Sequence, residues 1–175
     1  MVRALVLFIY FAVSAFALTS IVYWMLHSVM PDRHVFGGLY RMFLYHDLHP
    51  FQYIAVYSLT YAIVATVVGL IWPKLVGWRR NVAIVSIILF TVFAASVPGG
   101  ILWKIHDMQA GYFPEGLRFW DDLLWGASSG LAIGWLIILL SIPYNIICLV
   151  LLYYVTHYGF NIRSPKAQPG AAPDA

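Results

Sequence analysis

Three stretches of the chain, 4–26, 51–72 and 81–103, contain no Asp, Glu, Lys or Arg, and a fourth begins at Leu123 and stays free of them until Arg163. A hydrocarbon layer about 30 Å thick is crossed by about 20 residues of helix, so each stretch is long enough to span it. Lipid offers the backbone no hydrogen-bond partners, which leaves helix bundles and closed barrels as the spanning structures. Barrel strands would alternate in polarity over roughly ten residues between turns. Nothing between Asn81 and Trp103 alternates in that way. Charged residues make up 10% of the chain and hydrophobic ones 62%, whereas a soluble domain carries about 25% charged residues. The expected fold is an all-α integral membrane protein, a four-transmembrane-helix bundle.

The fourth stretch is too long for one straight span. At about 1.5 Å per residue, Leu123 to Phe160 would reach well beyond the hydrocarbon, and Pro143 is the natural place for a bend because it lacks an N–H. The expectation is a span over 123–143, followed by an apolar helical extension to about residue 160. Residues 1–163 then form one membrane domain. The tail 164–175, rich in Pro, Ala and Gly, has nothing to bury and is expected to be a disordered cytoplasmic segment.

Lys and Arg beside the spans set the expected orientation, since they favour the cytoplasmic side. Arg3 precedes the first span, Lys74, Arg79 and Arg80 join the second to the third, and Arg163 and Lys166 follow the last. Those segments, and both termini, are placed in the cytoplasm of a multi-pass protein of the cell (inner) membrane. The connections 31–50 and 104–122, which hold Asp32, Asp47, Asp107, Glu115, Asp121 and Asp122, are placed outside. Arg3, the apolar run after it and Ala15-Phe16-Ala17 together resemble a cleavable signal. The run continues to Leu26, as a retained span would. The formal charge of +3 is scattered beside apolar runs, which fits lipid headgroups and not nucleic acid.

A weak internal repeat is visible. Trp24-Met25-Leu26-His27 ends the first span and Trp103-Lys104-Ile105-His106 ends the third. About a dozen residues on come Gly38-Leu39-Tyr40-Arg41-Met42-Phe43 and Gly116-Leu117-Arg118-Phe119, then Asp47-Leu48 and Asp122-Leu123. Two duplicated hairpins related by an axis along the membrane normal would give this pattern.

Several residues could carry chemistry. His27 and His106 fall at the ends of separate spans and correspond in the repeat; two such imidazoles can hold a b-type haem, although histidine beside Trp24 and Trp103 also suits an interfacial aromatic belt. His46 and His49, three residues apart with Asp47 between them, could share a metal ion with Asp47 or with Asp121 and Asp122. A solvated loop explains them as well. Arg41 and Arg118 could grip an anionic ligand, or snorkel to the interface. Gly126, Gly130 and Gly134 lie four apart on one helix face and would let another backbone approach closely, which holds helices together in lipid. Val97-Pro98-Gly99-Gly100 would loosen the third span and mark a cavity.

Other chemistries lack their residues. The first three spans hold no ionisable acid or base of the kind that relays protons or ions. HExxH and Walker A motifs are missing from the sequence, and the single cysteine, Cys148, can form neither an internal disulfide nor a CxxC pair. The expected function is a non-enzymatic subunit or assembly partner in a membrane complex, associating with its own copy or with another membrane protein. The alternatives are a haem or metal protein with its site on the outer face, and a lipid-acting enzyme or small carrier.

Overall fold

The computed structural model describes residues 2–30, 35–36, 48–73, 75–112 and 119–162. Of these residues 88% are helical and none is in a strand. Four helices are long and apolar enough to cross a membrane: α1 (Val2–Val29), α2 (Pro50–Ile71), α3 (Gly77–Gln109) and α4 (Phe119–Leu140). The extension after Pro143 is a fifth, separate helix, α5 (Tyr144–Gly159).

Local sequence sets the helix limits. Pro50 opens α2, where its missing N–H would be unsatisfied in any case. At the end of α3 the Ala110 N–H closes on the His106 carbonyl, and Gly111 then takes a φ of +76°, a left-handed turn that glycine adopts without a Cβ penalty. Between α4 and α5, Pro143 interrupts the hydrogen-bond ladder behind a cis Ile142–Pro143 bond. The carbonyls that the break releases are recaptured by side chains. Ser141 Oγ donates to the Ile137 carbonyl at 2.7 Å, and Asn145 Nδ2 donates to that of Ile138. A break within lipid is tolerated when such partners are supplied.

The core is a ring of four helices in the order α1, α2, α3, α5, each packed on the next, with α5 closing the ring against α1. Leu7, Phe11 and Ala15 of α1 meet Tyr61, Ala62 and Ala65 of α2, Ile84, Ile87 and Ile88 of α3, and Leu152 and Val155 of α5. Tyr61 is fully buried and crosses the ring: its hydroxyl lies 2.7 Å from Thr156 Oγ1, which itself donates to the Leu152 carbonyl at 2.7 Å. Tyr144 donates to the Thr19 carbonyl and Tyr153 to Asn81 Oδ1, at 3.2 and 3.0 Å. Interhelical bonds of this kind in membranes average about 0.6 kcal/mol. They fix register, while close packing supplies most of the cohesion.

α4 stands outside this ring. Neither apolar cluster contains one of its residues, and it leans on α3 alone along most of its length. The two helices run antiparallel and mesh through four-residue spacings. Ser96, Gly100 and Lys104 of α3 face Asp122, Gly126, Gly130 and Gly134 of α4. A Cβ on Gly130 would collide with the Ser96 carbonyl and the Gly100 Cα, and one on Gly126 would lie 2.8 Å from the Gly100 carbonyl oxygen. Gly130–Gly134 form a single π-helical turn at this contact.

Arg3, Arg79 and Arg80 therefore lie at one end of the bundle, here termed the basic end, and His27, His49 and His106 at the other, the histidine end. The two hairpins are not used alike, since α2 packs on both α1 and α3 whereas α4 packs on α3. The repeat segments 38–43 and 116–118, and the tail 164–175, lie outside the described residues.

Candidate functional site

Polar side chains concentrate at the histidine end, arranged by the last turns of α3. Lys104 and His106 are two residues apart, about 200° around a helix, so they point to different neighbours. Lys104 faces α4 and His106 faces α2.

The lysine is 2% exposed, and its Nζ lies 3.7 Å from Asp122 Oδ1 in the first turn of α4. The same ammonium sits 4.7 Å from the centre of the Trp125 ring, and Trp103 packs against Trp125 at 5.6 Å. A buried cation needs such partners, because stripping its water is worth several kcal/mol. Asp121 and Asp122 are also placed where a helix N-terminus favours negative charge.

His106 is 3% exposed. The Tyr53 hydroxyl lies 3.1 Å from Nδ1, and Nε2 lies 2.8 Å from Gln52 Oε1. A neutral imidazole protonated on Nε2 satisfies both bonds, donating to Gln52 and accepting from Tyr53. The His49 ring packs on His106 at 4.5 Å between centres, tilted by 32°. His27 stacks on Tyr23 at 5.5 Å and meets Trp24 edge-on at 6.1 Å. Both His106 nitrogens are thus engaged by α2, and an iron or zinc ion could bind there only by displacing Tyr53 or Gln52. Among the described residues no group of three His, Cys, Asp or Glu is placed to hold a metal ion. His46, Asp47, Arg41 and Arg118 lie outside the described residues.

Beneath this polar cluster lies a cavity of about 90 Å³, partly open, at which α1, α2, α3, α4 and α5 all converge. Tyr53 belongs to both, since it bonds His106 and lines the cavity. Gly99 and Gly100 form part of the wall, and α3 continues helical through Pro98.

Sequence reasoning missed three features: the Lys104–Asp122 pair, the Gln52 and Tyr53 bonds to His106, and the inward side of the cavity. A signal for the first was present. Gly100 and Lys104 are four apart, as are Asp122 and Gly126, so each charge continues a row of small residues. No comparable pattern announces Gln52 or Tyr53, which read as ordinary residues of an apolar span.

Fold and composition together define an α-helical, multi-pass integral membrane protein. No protein-family model matches the sequence, and neither a curated protein nor a solved structure matches it.

Proposed function

We propose that the protein is a non-enzymatic subunit or assembly partner of a membrane complex, with α4 as its docking helix. The observation behind this reading is that the helical ring is complete without α4. In α4 17% of the apolar stretch is buried, against 39% in both α2 and α3. Its glycine face is used on α3, and its free flank presents Trp120 and Leu124, 73% and 68% exposed, with Leu131 further along. A spanning helix held on one side, in register, by a glycine row and an ion pair is suited to carry a second protein on the other. The partner is another membrane protein or a second copy of this chain.

A photo-crosslinking residue placed at Leu124 or Leu131 should give one discrete, near-stoichiometric adduct in native membranes, whose mass tells a second copy from a different protein. The same probe at Ile63 of α2, 56% exposed, should give lipid adducts. Lipid adducts alone at all three positions would end the docking proposal.

The proposed setting is the cell membrane, with the basic end and both termini in the cytoplasm. The support is the bias of charge: Arg3, Arg79 and Arg80 lie at one end, and Asp107, Asp121 and Asp122, the last paired with Lys104, at the other. Cysteines introduced singly at Arg79 and Asp121 test this with a membrane-impermeant maleimide on intact cells. Labelling should occur at position 121 and require lysis at position 79, and the reverse pattern would invert the bundle.

A further inference from the structure

We infer that the cavity at the convergence of the five helices is a binding site for an uncharged, lipid-soluble molecule that presents a ketone-bearing ring. This goes beyond the docking proposal and stands without it.

The first argument is charge. Among the described residues no Asp, Glu, Lys, Arg or His lines the cavity, so an ion entering it would lose its water with no counter-charge from them to meet it. The occupant is neutral.

The second is the account of hydroxyl groups. Thr19, Tyr53, Tyr57, Ser96, Ser141 and Tyr144 all line the cavity. Thr19 donates to the Ala15 carbonyl, Ser96 to that of Phe93, Ser141 to that of Ile137 and Tyr144 to that of Thr19, at 2.6 to 3.2 Å. Tyr53 is engaged by His106. Tyr57 differs from the other five. Its hydroxyl is buried and has no hydrogen-bond partner, a situation that costs roughly 1–3 kcal/mol when no ligand or water relieves it. A phenol is a good donor, and a carbonyl oxygen entering the cavity would supply the acceptor once the Tyr57 ring shifts to uncover its buried hydroxyl. Among the described lining residues, one such atom is all that the wall calls for.

The third is shape. Phe36, Tyr53, Tyr57 and Tyr144 give the wall four aromatic rings, and flat rings pack well on these faces at centroid separations of roughly 4.5–7 Å. An apolar engineered void of about 150 Å³ accepts benzene. At about 90 Å³ this cavity is smaller, but it is partly open, so a ring can enter edge-first while the rest of its molecule stays outside. The ring-borne ketone could belong to a free small solute or to the head of a membrane lipid. Both share the chemistry that Tyr57 would recognise.

The test uses the full chain in lipid nanodiscs and ligand-observed NMR titrations with three probes: cyclohexanone, methylcyclohexane as its acceptor-free counterpart, and cyclohexanone carrying a ten-carbon chain at position 4. Cyclohexanone should bind saturably and 5- to 10-fold more tightly than methylcyclohexane. Tyr57→Phe should remove that difference and leave methylcyclohexane unchanged. Ala95→Phe, which puts a ring into the cavity wall, should abolish saturable binding of all three. If Ala95→Phe does not fold, Tyr57→Phe alone decides. After correction for partitioning, a tenfold gain for the chain-bearing ketone identifies a membrane-borne ligand, and no gain identifies a free solute. Non-saturable signals from the parent protein, or a Tyr57→Phe variant that still prefers the ketone, would overturn the inference.

Discussion

Gly130→Leu should cost at least about 3 kcal/mol and detach α4 from α3, while Gly99→Ala, in the same region, should cost nothing or stabilise slightly. Overpacking usually costs about 1–3 kcal/mol because side chains can shift aside. At Gly130 the obstructing atoms are backbone, the Ser96 carbonyl and the Gly100 Cα, so relief requires moving a whole helix. A Cβ on Gly99 meets no atom within 4 Å, and alanine is a better helix former than glycine by about 1 kcal/mol. Thermal unfolding of the purified variants in detergent would measure both effects. Limited proteolysis should show a second one. Because the four-helix core contains no α4 residue, Gly130→Leu should open the 119–140 region to cleavage while α1, α2, α3 and α5 stay protected. Equal melting and equal protection of the two variants would mean that the glycine row does not join α3 to α4.

That contrast also shows how far the sequence could be read. Spans 4–26, 51–72 and 81–103 are legible because lipid removes every alternative for a charge-free stretch of that length. The row Gly126, Gly130 and Gly134 is legible as a packing face, because spacing alone puts it on one side of a helix. Its counterpart was hidden. Ser96 and Gly100 sit around Val97-Pro98-Gly99, which reads as a place where a helix loosens, yet α3 passes through it unbroken. The apolar helix after Pro143 is visible as a run of residues, but its position is not. Hydrophobicity is the same whether a segment faces lipid or a neighbouring helix. What places α5 in the core is Tyr144 on Thr19, Thr156 on Tyr61 and Arg80 on Asn161, contacts 81 to 125 residues apart that no local pattern encodes. At the histidine end, the shared placement of His27, His49 and His106 was legible from their positions beside the span ends. The partners of His106 were not, since Gln52 and Tyr53 reach it only after α2 and α3 have paired.

The Lys104–Asp122 pair carries the other large expected effect. Asp122→Asn should destabilise the protein by up to about 3–5 kcal/mol, the range for removal of one partner from a buried ion pair, because Lys104 would stay 2% exposed with the Asp122 carboxylate gone. An exposed pair would lose under about 1 kcal/mol, so the size of the loss reports burial directly. Lys104→Met keeps most of the stem that packs on Gly126 but gives up both the ion pair and the cation over Trp125, the latter worth about 0.5–2 kcal/mol. Combining Lys104→Met with Asp122→Leu removes both charges at once, and the double variant should be markedly more stable than the sum of the single losses implies. Chemical unfolding in mixed micelles, at low salt and at about 1 M salt where the screening length falls to about 3 Å, completes the cycle. A buried pair keeps its coupling energy in both conditions. Coupling that vanishes in high salt, or an Asp122→Asn loss below about 0.5 kcal/mol, would place the pair at the surface and leave the glycine row as the sole anchor of α4.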